Sequence, residues 1–162
     1  MPAHFVRTVL PGDEAAKWIA TWFGCGRSPI APGTVGTLGT LPLYWAMRSL
    51  GPLPYAAITL ALTAIGTWAA ERTAQALGDE DPSAVVIDEV AGTLIALGFA
   101  RAGGLPAELL SVVLFRFFDI KKPGPIDSVQ HLKPAGAGIM ADDLLAGFAA
   151  GLSVRALRWL LP

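Results

Sequence analysis

Apolar residues recur at spacings of three and four along most of the chain, and two-residue alternation is missing. That period belongs to helices packed through one face. The pattern predicts an all-α protein, a compact bundle of about six helices. The first helix is expected from Asp13, an N-cap residue type, to Trp22, ending at the Gly24, Gly26 and Pro29 cluster. A Gly- and Pro-rich loop, GCGRSPIAPG, follows and leads into GTVGTLGTLP, where Gly33, Gly36 and Gly39 alternate with Thr34, Thr37 and Thr40. Residues 49–70 carry no charge and are just long enough to cross a bilayer. Pro52, Pro54 and several Thr and Ala residues weaken that reading, and a buried core helix is the alternative. The polar stretch GDEDPS reads as a solvated loop. Beyond it, AVVIDEVAGTLIALGFA is read as a helix, with Val85, Asp88, Glu89 and Gly92 sharing a face. The next helix contains FRFFDIKK and stops at Pro123, Gly124 and Pro125. A last helix is expected to begin near Met140, with Asp142 and Asp143 in its first turn, and to run to the C-terminus.

At 162 residues the chain suits one domain, residues 1–162, with a real core. Composition changes the setting: 53% of residues are hydrophobic, 15% are charged and mean hydropathy is +0.53. Soluble domains carry roughly 25% charged residues, so a membrane is indicated. A net charge of -1, with twelve scattered Lys and Arg, gives no footprint for nucleic acid. The N-terminal stretch lacks the apolar run of a secretory signal, which points to an intracellular protein. Cys25 has no intrachain disulfide partner, and Ala31 stands six positions later, where a cysteine-dependent phosphatase needs arginine.

Charge in greasy surroundings carries the chemistry. Arg116, Asp119 and Lys122 fall at i, i+3 and i+6 between Phe115, Phe117, Phe118 and Ile120. Of thirteen acids, eight lie at helix starts, in loops or in polar company; five, Asp88, Glu89, Asp119, Asp142 and Asp143, lie in apolar runs. Five carboxylates drawn together would repel one another unless a cation neutralised them, and Mg2+ is the hard, oxygen-seeking choice. Structural explanations compete. Asp119 could pair with Arg116 or Lys122, and Asp142 and Asp143 could answer a helix dipole. Asp88 and Glu89 have no local basic partner. Arg116 and Lys122 could hold phosphate oxygens, which suggests phosphoryl transfer to water. The Gly-Thr block is either a small-residue packing face or an anion cradle at a helix N-terminus. His4 and His131 are acid-base candidates by residue type alone.

In their order and spacing, FGCGRSPIAPGTVGTL, VVIDEVAG, FRFFDIKKPGPI and GIMADDLLAG resemble the phosphatidylglycerophosphatase A family, and the blocks cover about a third of the chain. The resemblance implies a magnesium-dependent lipid phosphatase that converts phosphatidylglycerophosphate to phosphatidylglycerol and inorganic phosphate at the bacterial cytoplasmic (inner) membrane, with its active site on the cytoplasmic side. It implies metal ligation by Asp88, Glu89, Asp119, Asp142 and Asp143. Catalytic roles would fall on Asp88, Glu89, Asp119, Lys122 and Asp143. Phosphate contacts would come from Arg116, Lys122, Ser28, Gly33, Thr34 and Thr37, and the cradle reading gains over simple packing. Arg27, in place of an apolar residue, and Ala137, in place of a second glycine, depart from the pattern without touching a proposed ligand. Two readings compete with this one. A soluble all-α magnesium-dependent nucleotide pyrophosphatase would show Glu-x-x-Glu spacing and a polar surface. A non-catalytic membrane scaffold would show several spanning helices, whereas only residues 49–70 are expected to approach that length. Attachment could instead be peripheral, and apolar faces with five tryptophans could support a homodimer.

Overall fold

The computed structural model describes residues 13–160, so the His4 assignment lies outside the described residues. Helix α1, Asp13–Ala20, has acids in its first turn and Lys17 in its last, the arrangement that the helix dipole favours. It stops two residues short of expectation because Trp22 and Phe23 take positive φ angles of 46° and 54° ahead of Gly24. Trp22 Nε1 then donates to the Gly39 carbonyl at 2.8 Å, and the Val86 amide donates to the Ala20 carbonyl at 2.8 Å. These bonds seat α1 and the following turn against α2, Pro32–Gly39, and the start of α5, Ile87–Ala100. Helix α3, Leu41–Met47, leads to the 26-residue α4, Pro52–Leu77.

Helices α5 and α6, Gly104–Lys121, form an antiparallel hairpin through a 3-10 turn at Arg101–Gly103, with Gly104 at φ 69°. A short α7, Pro125–Val129, precedes α8, Ala135–Leu160. The described residues hold six helices of eight residues or more, with α3 and α7 shorter. Helix α8 starts five residues earlier than the expected Met140. Asp142 and Asp143 therefore lie beyond its first turn, and the helix dipole does not account for them.

Helices α5 and α8 run parallel at the centre of the bundle, packed through glycine. A Cβ on Gly147 would sit 2.4 Å from the Gly92 carbonyl oxygen, and one on Gly151 would sit 2.6 Å from the Phe99 ring. Because the first obstacle is backbone, Gly147→Ala is expected to destabilise the protein by about 1–3 kcal/mol. Thermal unfolding in detergent checks this, at roughly 2–4 °C of Tm per kcal/mol.

Helices α4, Pro52–Leu77, and α8, Ala135–Leu160, are each long and apolar enough to cross a membrane, and the equally apolar stretch Ile87–Lys121 reaches that length only through the turn at which it folds back as the α5–α6 hairpin. This corrects the expectation of a single candidate at residues 49–70. Only 28% of the α4 window is buried, so its apolar surface faces outward and it is not a buried core helix. Thr59, Thr63 and Thr67 each donate their hydroxyl to a carbonyl one turn back, which removes free polar donors from α4. Trp45 and Trp159 are exposed toward one end of the bundle, Trp18 and Trp68 toward the other, as in the aromatic belts of membrane proteins. Length, composition and this outward apolar surface are those of a membrane protein.

Candidate active site

The acids predicted from apolar runs converge at one end of the bundle. Asp88 and Glu89 sit in the first turn of α5, where the helix dipole favours negative charge. Asp119 comes from the last turn of α6, and Asp142 and Asp143 come from the early part of α8. Together with Arg116, Lys122 and Gly33 they line one cavity of about 560 Å³. The α5–α6 hairpin accounts for this convergence, because it returns the end of α6 to the start of α5. The parallel α8 places its own start at the same level.

The five carboxylates divide in the structure. Asp88, Glu89 and Asp143 can each offer an oxygen such that all three oxygens lie within 4.8 Å of one another. Asp119 pairs with Arg116 Nη1 at 2.5 Å while its carboxyl also meets that of Asp143, and the same guanidinium nitrogen lies 3.8 Å from Glu89. Asp142 accepts a hydrogen bond from Lys122 Nζ at 2.5 Å. Lys122 reaches it because the residue leaves the α6 helix in a left-handed conformation, φ 44°, just before Pro123. The expected straight stripe of Arg116, Asp119 and Lys122 is therefore bent at its last member. Burial opposes the charge on Lys122, but Asp142, with Asp119 and Asp143 behind it, outweighs burial and raises the amine above its ordinary pKa. Lys122 stays protonated at neutral pH.

Four oxygens in this cluster are buried without a hydrogen-bond partner: Asp88 Oδ1, Glu89 Oε2, Asp142 Oδ1 and Asp143 Oδ2. Around the cavity, seven carboxylates (with Glu80 and Asp81 at the rim) face only Arg116, Lys122 and Lys133 as cations. Orphaned carboxylate oxygens in excess over cations are the donor set of a hard divalent metal. The residues fit a metal ion, with Asp88, Glu89 and Asp143 as the group that would hold it.

The Gly-Thr block divides as well. Gly33 lines the cavity, and a Cβ there would lie 2.1 Å from Glu89 Oε1 and 3.2 Å from Arg116 Nη2, so glycine lets α2 approach the charged groups. Thr37 is buried with its hydroxyl unpartnered, and Thr34 is exposed; neither lines the cavity. Ser28 donates to the Ile30 carbonyl at 2.8 Å, outside the cavity. Gln130 was not among the residues expected at the site. It accepts a hydrogen bond from Lys122 Nζ at 3.0 Å and donates to Asp127 at 2.7 Å, fixing the lysine from its second side. Within a loop rich in Gly, Pro and polar residues, no periodicity marked it. His131 lines the cavity, and Lys133 pairs with Glu80 at 2.5 Å across its rim, where both partners are too exposed for the pair to contribute much stability.

A family model described as phosphatidylglycerophosphatase A matches residues 18–158. Among curated relatives, a Bacteroides thetaiotaomicron protein provisionally named phosphatidylinositol-3-phosphatase is 36% identical over 155 residues, covering 88% of this chain and 93% of its own. The phosphatidylglycerophosphatase A of Escherichia coli is 34% identical over 135 residues, covering 83% of this chain and 78% of its own. That of Haemophilus influenzae is 34% identical over 145 residues, covering 88% and 89%. No solved structure matches the chain.

Proposed function

The chain belongs to the phosphatidylglycerophosphatase A family, and from that membership we propose that it hydrolyses phosphatidylglycerophosphate to phosphatidylglycerol and inorganic phosphate with Mg2+. The observation that carries the chemistry is the set of partnerless carboxylate oxygens facing Arg116 and Lys122 in one cavity. When bound by Asp88, Glu89 and Asp143, Mg2+ supplies Lewis-acid charge to the phosphoryl oxygens and lowers the pKa of water. Arg116 and Lys122 neutralise the remaining phosphate charge, Arg116 through a planar fork and Lys122 as a point charge. Asp119 and Asp142 hold these two cations in place. Gly33 lets the α2 wall approach Glu89 and Arg116 closely. A carboxylate of the cluster takes a proton from the attacking water as the new P–O bond forms and the ester P–O bond breaks, and returns that proton to the leaving alkoxide oxygen, giving the free alcohol and inorganic phosphate.

The proposal sets the protein in the bacterial inner membrane with this cavity on the cytoplasmic side. Among the described residues, Lys17, Arg27, Arg72, Lys121, Lys122 and Lys133 lie toward the cavity end, against Arg48, Arg101, Arg155 and Arg158 at the other. The excess at the cavity end agrees with the bias of cytoplasmic segments toward Lys and Arg. The Bacteroides relative brings a second substrate into the test. Phosphate release from phosphatidylglycerophosphate, phosphatidylinositol 3-phosphate and a nucleotide should be compared in mixed micelles at equal concentration. The proposal expects phosphatidylglycerophosphate to be turned over fastest. Preference for the phosphoinositide would overturn the substrate, and turnover of the nucleotide alone would overturn lipid phosphatase activity altogether.

A further inference from the structure

A second cavity, of about 470 Å³, runs between α4, α5 and α8 from Leu144, next to Asp143, to Arg101 and Arg155 at the end of the bundle away from the carboxylates. Leu60, Ile95, Phe99, Leu144 and Phe148 form much of its wall. The wall's own polar groups are already satisfied. Tyr55 Oη donates to the Leu94 carbonyl at 2.6 Å, and Thr59 and Thr63 donate to carbonyls of α4. What remains is cationic: Arg101 and Arg155 line the cavity, and no acid does.

The two arginines stand at one level. Arg101 lies thirteen residues beyond Asp88 on α5 and its turn, and Arg155 thirteen beyond Asp142 on the parallel α8. Each is roughly 20 Å from the carboxylate cluster along its helix. Arg101 donates to the Leu50 carbonyl at 2.8 Å and stacks over Tyr55 at 4.7 Å, which fixes its position. Arg155 is exposed and has no hydrogen-bond or ion-pair partner among the described residues.

We propose that this groove binds an anionic phospholipid of the leaflet opposite the active site, one acyl chain lying in the apolar channel and the charged headgroup on Arg101 and Arg155. In a bilayer an apolar groove open to the side fills with lipid chain, because water there has no polar partners. The selection comes from the guanidiniums, which match phosphate and carboxylate oxygens and pair with no acid among the described residues. A zwitterionic headgroup brings its own cation to the same place and loses that advantage.

The test is native mass spectrometry of the full chain, delipidated in detergent and then offered dioleoyl-phosphatidylserine or dioleoyl-phosphatidylcholine. Neither lipid is a phosphate monoester, so neither is a substrate of the carboxylate site. Wild-type protein is expected to retain phosphatidylserine preferentially. Arg155→Gln should lose roughly fivefold of that preference, corresponding to about 1 kcal/mol per cation at an anionic surface, while Arg155→Lys keeps most of it. Ala56→Trp, which fills the channel, should reduce retention of both lipids. Equal retention of the two lipids by wild-type protein, or an unchanged preference in Arg155→Gln, would overturn the proposal. Retention of neither would overturn it together with the membrane assignment. Arg155 is exposed, so its substitution tests the site without depending on a core change.

Discussion

Phosphate release by the Asp143→Asn protein is expected to fall by about a thousandfold or more, and Asp88→Asn should behave alike. Changing a group that only orients a metal ligand costs about 10–100-fold, and these residues are the ones proposed to hold the ion themselves. Each also presents a buried oxygen with no protein partner. The stability effect should run the other way. Without metal, Asp88, Glu89 and Asp143 crowd like charges together, so removing one relieves repulsion. The Tm of Asp143→Asn in chelator should equal or exceed that of wild type. Glu108 supplies the contrast. It is buried at the opposite end of the bundle, where it accepts a hydrogen bond from Tyr44 at 2.8 Å and lies 3.5 Å from Arg48. Glu108→Gln should lower Tm and leave kcat near wild type. Activity lost without stability at one buried acid, and stability lost without activity at another, separates site from scaffold. Full activity in both cluster variants would remove these residues from the site.

Chelation is the second large effect. Treatment with EDTA is expected to abolish turnover, and Mg2+ to restore it. Ca2+ should restore it poorly, because it prefers more ligands at longer distances than a compact carboxylate group offers. Binding to the folded state alone also stabilises it. At a hundredfold excess over Kd, Mg2+ should add about 2.7 kcal/mol to the wild-type protein. The same addition should leave the Tm of Asp143→Asn almost unmoved. Turnover that survives exhaustive chelation would mean that the carboxylates act without a metal.

Much of this arrangement was legible before the fold. Acids inside apolar runs have few benign explanations, and all five such acids line one cavity. The all-α class followed from helical periodicity without alternation. What sequence could not supply was partnership. The i,i+3 spacing already allowed Asp119 to pair with Arg116, as it does, but could not show that the packing of α6 beside α8 also brings its carboxyl against that of Asp143. Lys122 was placed on a helical stripe, but its left-handed backbone turns it toward Asp142, a residue twenty positions away. The Gly-Thr repeat puts residues on faces without saying which face meets the site, so Gly33 was found there while Thr34, Thr37 and Ser28 were not. Helix α8 begins ahead of Met140 although the glycines and alanines before it read as loop. They helicise because close packing rewards their small size: a Cβ on Gly136 would meet the Thr67 carbonyl at 2.4 Å. In residues 87–121 the Gly103, Gly104 and Pro106 break leaves two apolar segments, each shorter than the roughly 20 residues that a single span needs.

Mn2+ binding, followed by electron paramagnetic resonance in the absence of substrate, addresses the carboxylate cluster most directly. The free-ion signal should fall saturably when wild-type protein is added and should be restored by competing Mg2+. Asp143→Asn should leave most of the ion free, while Glu108→Gln should bind as wild type does. Equal binding by wild type and Asp143→Asn, or no saturable binding by either, would contradict the assignment of Asp88, Glu89 and Asp143 as the metal-holding group.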